Sequence, residues 1–321
     1  MHTVAVIGLG NISKRHRKNL KTLYPQAKVL AMSASGRALT DIPQDADAVV
    51  DTLSDLINAQ PQFVIVASPA SMHQLHAQAL LAAGIPCLIE KPLCANRAQT
   101  TALLDAVQGL ATPAAVGYCL RHMPSAQQLQ QLISSGKLGE LYAIQIEVGQ
   151  YLPNWRPNSD FRETVSAQKA LGGGALLELS HEIDYANWLF GPLQPKYANI
   201  RSSKDLGLEV EDLVDVSLTT QDGAHVQLHL DFLQRQASRF CRVLCSEGKI
   251  HWDLLANSIE WTNKDGHTEV FSFPHWQPND MYLTMLKDFE NKIAGQPNQG
   301  VSLTQAADVM TLIDNIKKIK S

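Results

Sequence analysis

The chain has 321 residues, 45% of them hydrophobic, and its 27 basic and 31 acidic side chains leave a net charge of −4. Intrinsic disorder is excluded by that much apolar material, the length suits two domains of ~150 residues, and no basic surplus exists to hold nucleic acid or an anionic membrane. The start, MHTVAVIGLG, lacks a basic leader and a long apolar core, and no run of ~18 apolar residues follows, so a cytoplasmic protein without a membrane segment is expected.

Short apolar runs alternate with amphipathic stretches over the first 120 residues, the pattern of βαβ units building a parallel sheet. Strands are predicted at Val4–Ile7, Val29–Met32, Phe63–Ala67, Cys87–Ile89 and Ala114–Tyr118, with helices over Met72–Ala83 and Arg97–Val107. A helix over Ala126–Leu132 leads to a glycine stop and an alternating strand, Tyr142–Gly149. After Gly172-Gly173-Gly174 one helix is predicted from Ala175 to Phe190, ending at Gly191-Pro192. Strand signals then dominate at Leu213–Thr219, Ala224–Phe232, Phe240–Cys245, Lys249–Leu254 and Glu269–Phe273, which predicts an antiparallel sheet. Helices over Met281–Ile293 and Thr304–Ile319 close the chain. The expected architecture is α/β: a Rossmann domain, 1–120, then an α+β domain, 121–321, with an open-faced, mostly antiparallel sheet.

Gly8-Leu9-Gly10-Asn11-Ile12-Ser13 follows the first strand and opens a helix, the setting that a dinucleotide fingerprint requires. Gly8 permits the tight turn and Gly10 lets backbone N–H groups approach a pyrophosphate at the helix N-terminus; Ser13 replaces the third glycine. The second strand ends in Met32-Ser33-Ala34-Ser35-Gly36-Arg37 with no acid before Asp41. Hydroxyls of Ser33 and Ser35 with the Arg37 guanidinium suit a 2′-phosphate, so NADP(H) is favoured over NAD(H). Five scattered cysteines, Cys87, Cys94, Cys119, Cys241 and Cys245, have no CxxC spacing and predict reduced thiols.

Taken with GLGNISKRH and its His16, the segments ASPASMHQLHA, IEKPL, VGYCLRH, SGKLGELY and GGGALLELSHEID occur in an order that resembles the Gfo/Idh/MocA family of nicotinamide-dependent sugar oxidoreductases. The resemblance spans nearly the whole chain. It implies hydride transfer between the nicotinamide and a carbon of a sugar or sugar derivative, an enzyme acting on CH–OH without metal, and a homodimer or homotetramer formed through the outer face of the second sheet. It further implies that Asn11, Ile12, Ser68, Pro69, His73 and Glu90 join Gly8 and Gly10 around the cofactor. LSHEID and YLPNWRP resemble a branch that acts on nucleotide sugars or sugar acids.

Lys91, at the carboxyl end of a strand, falls where ligands of doubly wound sheets bind, and its ammonium can donate to a reacting oxygen. Pro92 restricts it to extended geometry, and the resemblance suggests a cis bond there. His181 is the proton-transfer residue that the resemblance implies. Its acid partner is open between Glu178, three residues before it on one helical face, and Asp184, three residues after it. The expectation is that Lys91 and His181 converge beside one redox ring. Tyr151, Trp155 and Arg156 bring the aromatic and cationic groups that grip sugars, with Arg156 also near the cofactor, and Arg121 and His122 are expected to line the same cleft. His225, His229, His251 and His275 have no ligand spacing and read as sheet or surface residues. Two other functions fit the same residues: an enzyme whose tightly held NAD oxidises a sugar transiently during glycosidic cleavage or elimination, and a catalytically silent nucleotide sensor.

Overall fold

Strands buried on both faces need unbroken apolar runs, and VAVI meets that demand: Val4, Ala5, Val6 and Ile7 are at most 1% exposed. A computed structural model describes residues 2–157 and 159–319 and divides them into two units. One joins the segment up to Cys119 with Tyr282–Met310; the other joins Leu120–Met281 with the segment from Thr311 on.

The first unit contains, in chain order, β1 (Thr3–Ile7), α1 (Asn11–Leu23), β2 (Lys28–Met32), β3 (Ala48–Val49), α2 (Leu53–Asn58), β4 (Val64–Val66), α3 (Ala70–Ala82), β5 (Cys87–Ile89), α4 (Arg97–Val107) and β6 (Ala114–Val116). Its sheet runs β3-β2-β1-β4-β5-β6, with every pair parallel. This is the doubly wound order that opens a ligand crevice at the carboxyl end of β1. β3, a two-residue edge strand, and α2, six residues capped by Thr52, leave no signal in the sequence, because neither is long enough to show a period.

Residues 282–310 pack on this unit, although the expected division at 120/121 leaves them in the second domain. Phe289 meets Phe63 edge-on at 5.7 Å, the Tyr24 hydroxyl donates to Glu290 at 2.8 Å, and the Val116 N–H donates to the Val301 carbonyl at 2.9 Å. These contacts join residues far apart in sequence, which no local pattern reveals.

The second unit opens with a 3-10 turn, Cys119–His122, shared at its first residue with the first unit, and with α5 (Pro124–Ser134), whose proline occupies the first turn. Then follow β7 (Leu141–Gly149), short 3-10 turns between Leu152 and Leu171, α6 (Ala175–Glu178), α7 (Ser180–Phe190), β8 (Gln194–Arg201), β9 (Leu213–Thr219), β10 (His225–Asp231), β11 (Ser238–Cys245), β12 (Gly248–Asp253), β13 (Ser258–Asn263) and β14 (Thr268–Ser272). The chain ends in α8 (Asp280–Ile293) and α9 (Leu303–Lys318).

The eight strands lie in the order β14-β13-β12-β11-β7-β10-β9-β8. All neighbours are antiparallel except β7 and β10, which run parallel, Ile144 beside Val226 and Val148 beside Leu230. A parallel pair requires a long crossover, here the stretch that holds α6, α7, β8 and β9. One face is apolar and buried through Ile144, Ile146, Val226, Leu228 and Val243, whereas the opposite face shows Tyr197, Leu244 and Val270, each more than half exposed. The unanticipated β8 is an edge strand with Pro195 and Lys196 where its register shifts, both common devices against edge pairing.

On β10, His229 lies between two carboxylates: Nδ1 is 2.7 Å from Asp215 and Nε2 is 3.0 Å from the buried Asp231. Asp231 foremost, and Asp215, raise the imidazole to about 9. A folded value above the unfolded ~6.5 stabilises the fold fully below pH ~6.5, and that stabilisation fades as pH climbs through about 9. The side chain is 29% exposed, so solvent screening limits the effect to ~1–2 kcal/mol. Urea midpoints are therefore expected to fall between pH 7 and pH 10 in the wild type, with a flatter profile in His229→Gln.

Candidate functional site

Gly8 makes the turn from β1 to α1 with φ +118, and a Cβ there would run into the Ala67 carbonyl and come 2.6 Å from Ser13 Oγ. The Ser13 hydroxyl is fully buried and donates to that same carbonyl at 3.1 Å. Ser13 thus replaces a third glycine by tying α1 to the end of β4. Arg17 adds a brace, reaching the Gly8 carbonyl at 3.4 Å and the Gln44 carbonyl at 2.9 Å. The sequence carries no signal for this role of Arg17, because a basic residue on a helix reads as solvated. Gly8→Ala is expected to cost about 1–3 kcal/mol from the positive φ alone, and more from overlap, which a thermal melt will show.

Around Gly10 no atom comes within 4 Å of where a Cβ would stand. The first turn of α1 has no side-chain cap and no acid. Free N–H groups, open space and the positive end of a thirteen-residue helix dipole are what a pyrophosphate needs. At the end of β2, Ser33 is buried with its Oγ 3.2 Å from that of Ser35, while Ser35 and Arg37 are exposed. A dinucleotide therefore fits, with Asn11 and Ile12 at the start of α1 and Pro69 at the start of α3.

Two residues expected at the cofactor serve the framework instead. His73 is 1% exposed, with Nδ1 2.9 Å from the Pro92 carbonyl and Nε2 2.8 Å from the Ser68 carbonyl, which leaves neither ring nitrogen for a ligand. Facing two acceptors, the ring satisfies both only with both nitrogens protonated, yet burial pushes it toward the neutral form. The Glu90 carboxylate is likewise buried, with Oε1 2.6 Å from His16 Nε2. That imidazole keeps the carboxyl below its usual range against the pull of burial. The Ser68 hydroxyl is 3.0 Å from His76 Nδ1, and burial lowers His76 to about 4. Lys91 follows β5 and is half-buried, and its bond to Pro92 is cis.

In the second unit the helix expected from Ala175 to Phe190 breaks at Leu179 (φ −99, ψ 25), so Glu178 ends α6 and His181 stands in the first turn of α7. Glu178 accepts from the Ser166 hydroxyl at 3.1 Å. Asp184, the other candidate partner of His181, gives both its oxygens to a two-pronged bond from Arg121, Nε to Oδ2 at 2.9 Å and Nη2 to Oδ1 at 2.6 Å. Burial pushes the Asp184 carboxyl up and the guanidinium opposes it. Arg121, expected to meet substrate, is 5% exposed, and its fork is occupied by that carboxylate while Trp188 covers it at 5.4 Å. His122 is buried as well.

The aromatic loop is supported from beneath. Trp155 meets Phe232 edge-on at 5.4 Å, and the Arg235 guanidinium lies 3.6 Å over the Tyr151 ring. Arg156 is half-buried. Among the described residues no group of three or more His, Cys, Asp or Glu could hold a metal ion, and no helix is long and apolar enough to cross a membrane.

A six-stranded parallel sheet with an uncapped, glycine-led helix at its first βα turn defines a dinucleotide-binding α/β protein. Residues 2–118 match the oxidoreductase family with an NAD-binding Rossmann fold, and residues 126–251 match the GFO/IDH/MocA C-terminal domain. The chain belongs to the Gfo/Idh/MocA oxidoreductase family. An uncharacterised oxidoreductase of Synechocystis is 31% identical over 203 residues, 62% of this chain but only about half (54%) of that protein's length. D-glucoside 3-dehydrogenase of Escherichia coli K12 is 26% identical over 318 residues, 92% of this chain and 88% of that one. Levoglucosan dehydrogenase, solved with NADH and L-sorbose, shares the fold with a TM-score of 0.84 at 19% identity, over 99% of this chain and 96% of that one.

Proposed function

We propose that this protein moves a hydride between a nicotinamide dinucleotide and the CH–OH carbon of a sugar or sugar derivative. The observation that carries the proposal lies in the first unit: the glycine turn follows β1, Lys91 follows β5, and β4 alone separates those strands in the sheet. Ligands of such sheets bind at the carboxyl ends of these strands. Family membership supports the same reading, as does the similarity to D-glucoside 3-dehydrogenase over most of its length.

In this reading the bound nicotinamide supplies the hydride donor or acceptor. The Lys91 ammonium hydrogen-bonds the oxygen whose carbon changes oxidation state, so that negative charge growing there meets a fixed cation. His181 takes the hydroxyl proton in oxidation and returns it in reduction. Tyr151, Trp155 and Arg156 hold the sugar, through ring faces against C–H groups and a cation toward hydroxyl or anionic groups. NADP(H) is favoured by the paired hydroxyls of Ser33 and Ser35 and the exposed Arg37, with no acid at the end of β2 to repel a 2′-phosphate. The exposed face of the eight-stranded sheet, with Tyr197, Leu244 and Val270, is proposed to join copies of the chain, which light scattering tests.

The deciding experiment offers NAD and NADP separately with levoglucosan, myo-inositol, a methyl glucoside and a nucleotide-sugar acid, and follows reduced cofactor by absorbance. Net reduced cofactor with a member of the panel is expected, and a cofactor that stays bound and regenerates itself would refute the proposed dehydrogenase activity. Arg37→Ala is expected to weaken NADP selectively, by ~10-fold or more for the lost charge-assisted contact, and to leave NAD unchanged.

A further inference from the structure

Three imidazoles of the first unit are almost wholly buried; His76, at 2% exposure, meets the Ser68 hydroxyl, whereas a hydrophobic core has no use for the other two, His16 at 0% and His73 at 1%. Their bonds share a destination. His16, on α1, holds the Glu90 carboxylate at 2.6 Å, and that carboxylate also accepts the Lys91 N–H at 3.3 Å. His73, on α3, meets the Pro92 carbonyl at 2.9 Å. The residues on either side of Lys91 are therefore each fixed by an imidazole from a different helix.

The surroundings leave the bracket little play. Tyr282 sets its ring on His16 at 6.1 Å and 79°, with the Arg15 guanidinium 4.7 Å over its outer face. Gly117 faces Glu90 so closely that a Cβ there would come 3.2 Å from Oε1. On its other side His73 is anchored to the Ser68 carbonyl at 2.8 Å. α1 and α3 begin at the turns Gly8–Gly10 and Ser68–Pro69, so the helices that face a dinucleotide with their N-termini are also those that carry the two imidazoles.

We propose that His16 and His73 are positioning residues that fix the Lys91 backbone from opposite sides and tie it to the two cofactor-facing turns. The inference rests on the reading of Lys91 given above, and its test separates the two. A displacement of ~1 Å at a reacting group can cost ~10²-fold in rate, so a bracket on the neighbouring residues is worth two buried polar rings.

The test is a double-mutant cycle on the full chain, read by turnover of whichever panel sugar reduces the cofactor and, with no substrate present, by the 13C resonance of reductively methylated Lys91. His16→Leu and His73→Leu are each expected to lower kcat by ~10²-fold with dinucleotide affinity unchanged, and to shift the Lys91 resonance. Either change added to Lys91→Ala is expected to cost nothing further. His16→Gln keeps a donor toward Glu90 and recovers most of the turnover. For His73, Asn keeps the arm toward Pro92 and Gln the arm toward Ser68, and Asn is expected to rescue better. An unmoved Lys91 resonance, or losses that add in full to that of Lys91→Ala, overturns the bracket. Undiminished turnover in Lys91→Ala overturns the catalytic reading instead, and the resonance still reports whether the imidazoles fix the lysine.

Discussion

Lys91→Ala is expected to lower turnover by ~10²–10⁴-fold while dinucleotide affinity stays close to that of the wild type. The reasoning is one of differential binding: the ammonium meets an oxygen whose charge grows along the reaction, whereas the pyrophosphate relies on the glycine turn and the first turn of α1. The loss should therefore appear in kcat, with a cofactor titration by fluorescence unaltered. Lys91→Arg keeps the charge but spreads it over a planar fork, and should recover only a small part of the rate. His181→Ala belongs to the same range, with a pH profile that loses the limb due to the imidazole. Wild-type turnover in either alanine variant removes that residue from the mechanism.

Arg121→Leu is the change expected to do the most damage to the fold. It strands the Asp184 carboxylate, 1% exposed and held by no other cation within bonding distance among the described residues, at a cost of ~3–5 kcal/mol. Asp184→Leu alone strands the guanidinium and should cost a similar amount. Replacing both at once, Arg121→Leu with Asp184→Leu, leaves two apolar groups in an apolar place and is expected to return most of the stability. Urea unfolding of the three variants settles it: equal losses in single and double variants would mean that the pair contributes packing rather than charge. Because Asp184 lies on α7 three residues beyond His181, the single variants should also lose turnover, and the double variant shows how much of that loss comes from the helix itself.

The dinucleotide turn is legible because its demands are local. A buried strand, a residue at positive φ and an uncapped helix start lie within ten residues, and each leaves its mark on residue type at a fixed spacing. Most strands of both sheets are legible for the same reason, since alternation and apolar runs are properties of neighbours in the chain. The pairing of Arg121 with Asp184 is not local. The two are 63 positions apart, and nothing near Arg121 distinguishes a guanidinium that closes on a buried carboxylate from one that waits for a sugar. His73 illustrates the same limit: on α3 it reads as one more polar residue near the cofactor, and only the carbonyls of Ser68 and Pro92 show that both nitrogens are spoken for.

The break at Leu179 marks a different boundary of what can be read. Apolar spacing continues from Ala175 through Phe190 as though the helix were whole, and the turn that interrupts it contains no glycine or proline. Upstream, the triple glycine marks a crowded place, where a Cβ on Gly174 would come 2.6 Å from the Glu211 carboxylate. The glycines announce close packing without naming the partner.

Composition and periodicity alone establish an α/β chain that begins with a nucleotide-binding turn and ends in a sheet-rich half, because hydrophobic burial and backbone geometry act through residues close in sequence. Strand order, the parallel pairing of β7 with β10, the return of Tyr282–Met310 to the first unit and the partners of His16, His73, Arg121 and Asp184 emerge only in three dimensions. Those choices rest on contacts between residues tens of positions apart, apolar as for Phe63 with Phe289 and polar as for Arg121 with Asp184, where an unpaired buried group would be costly.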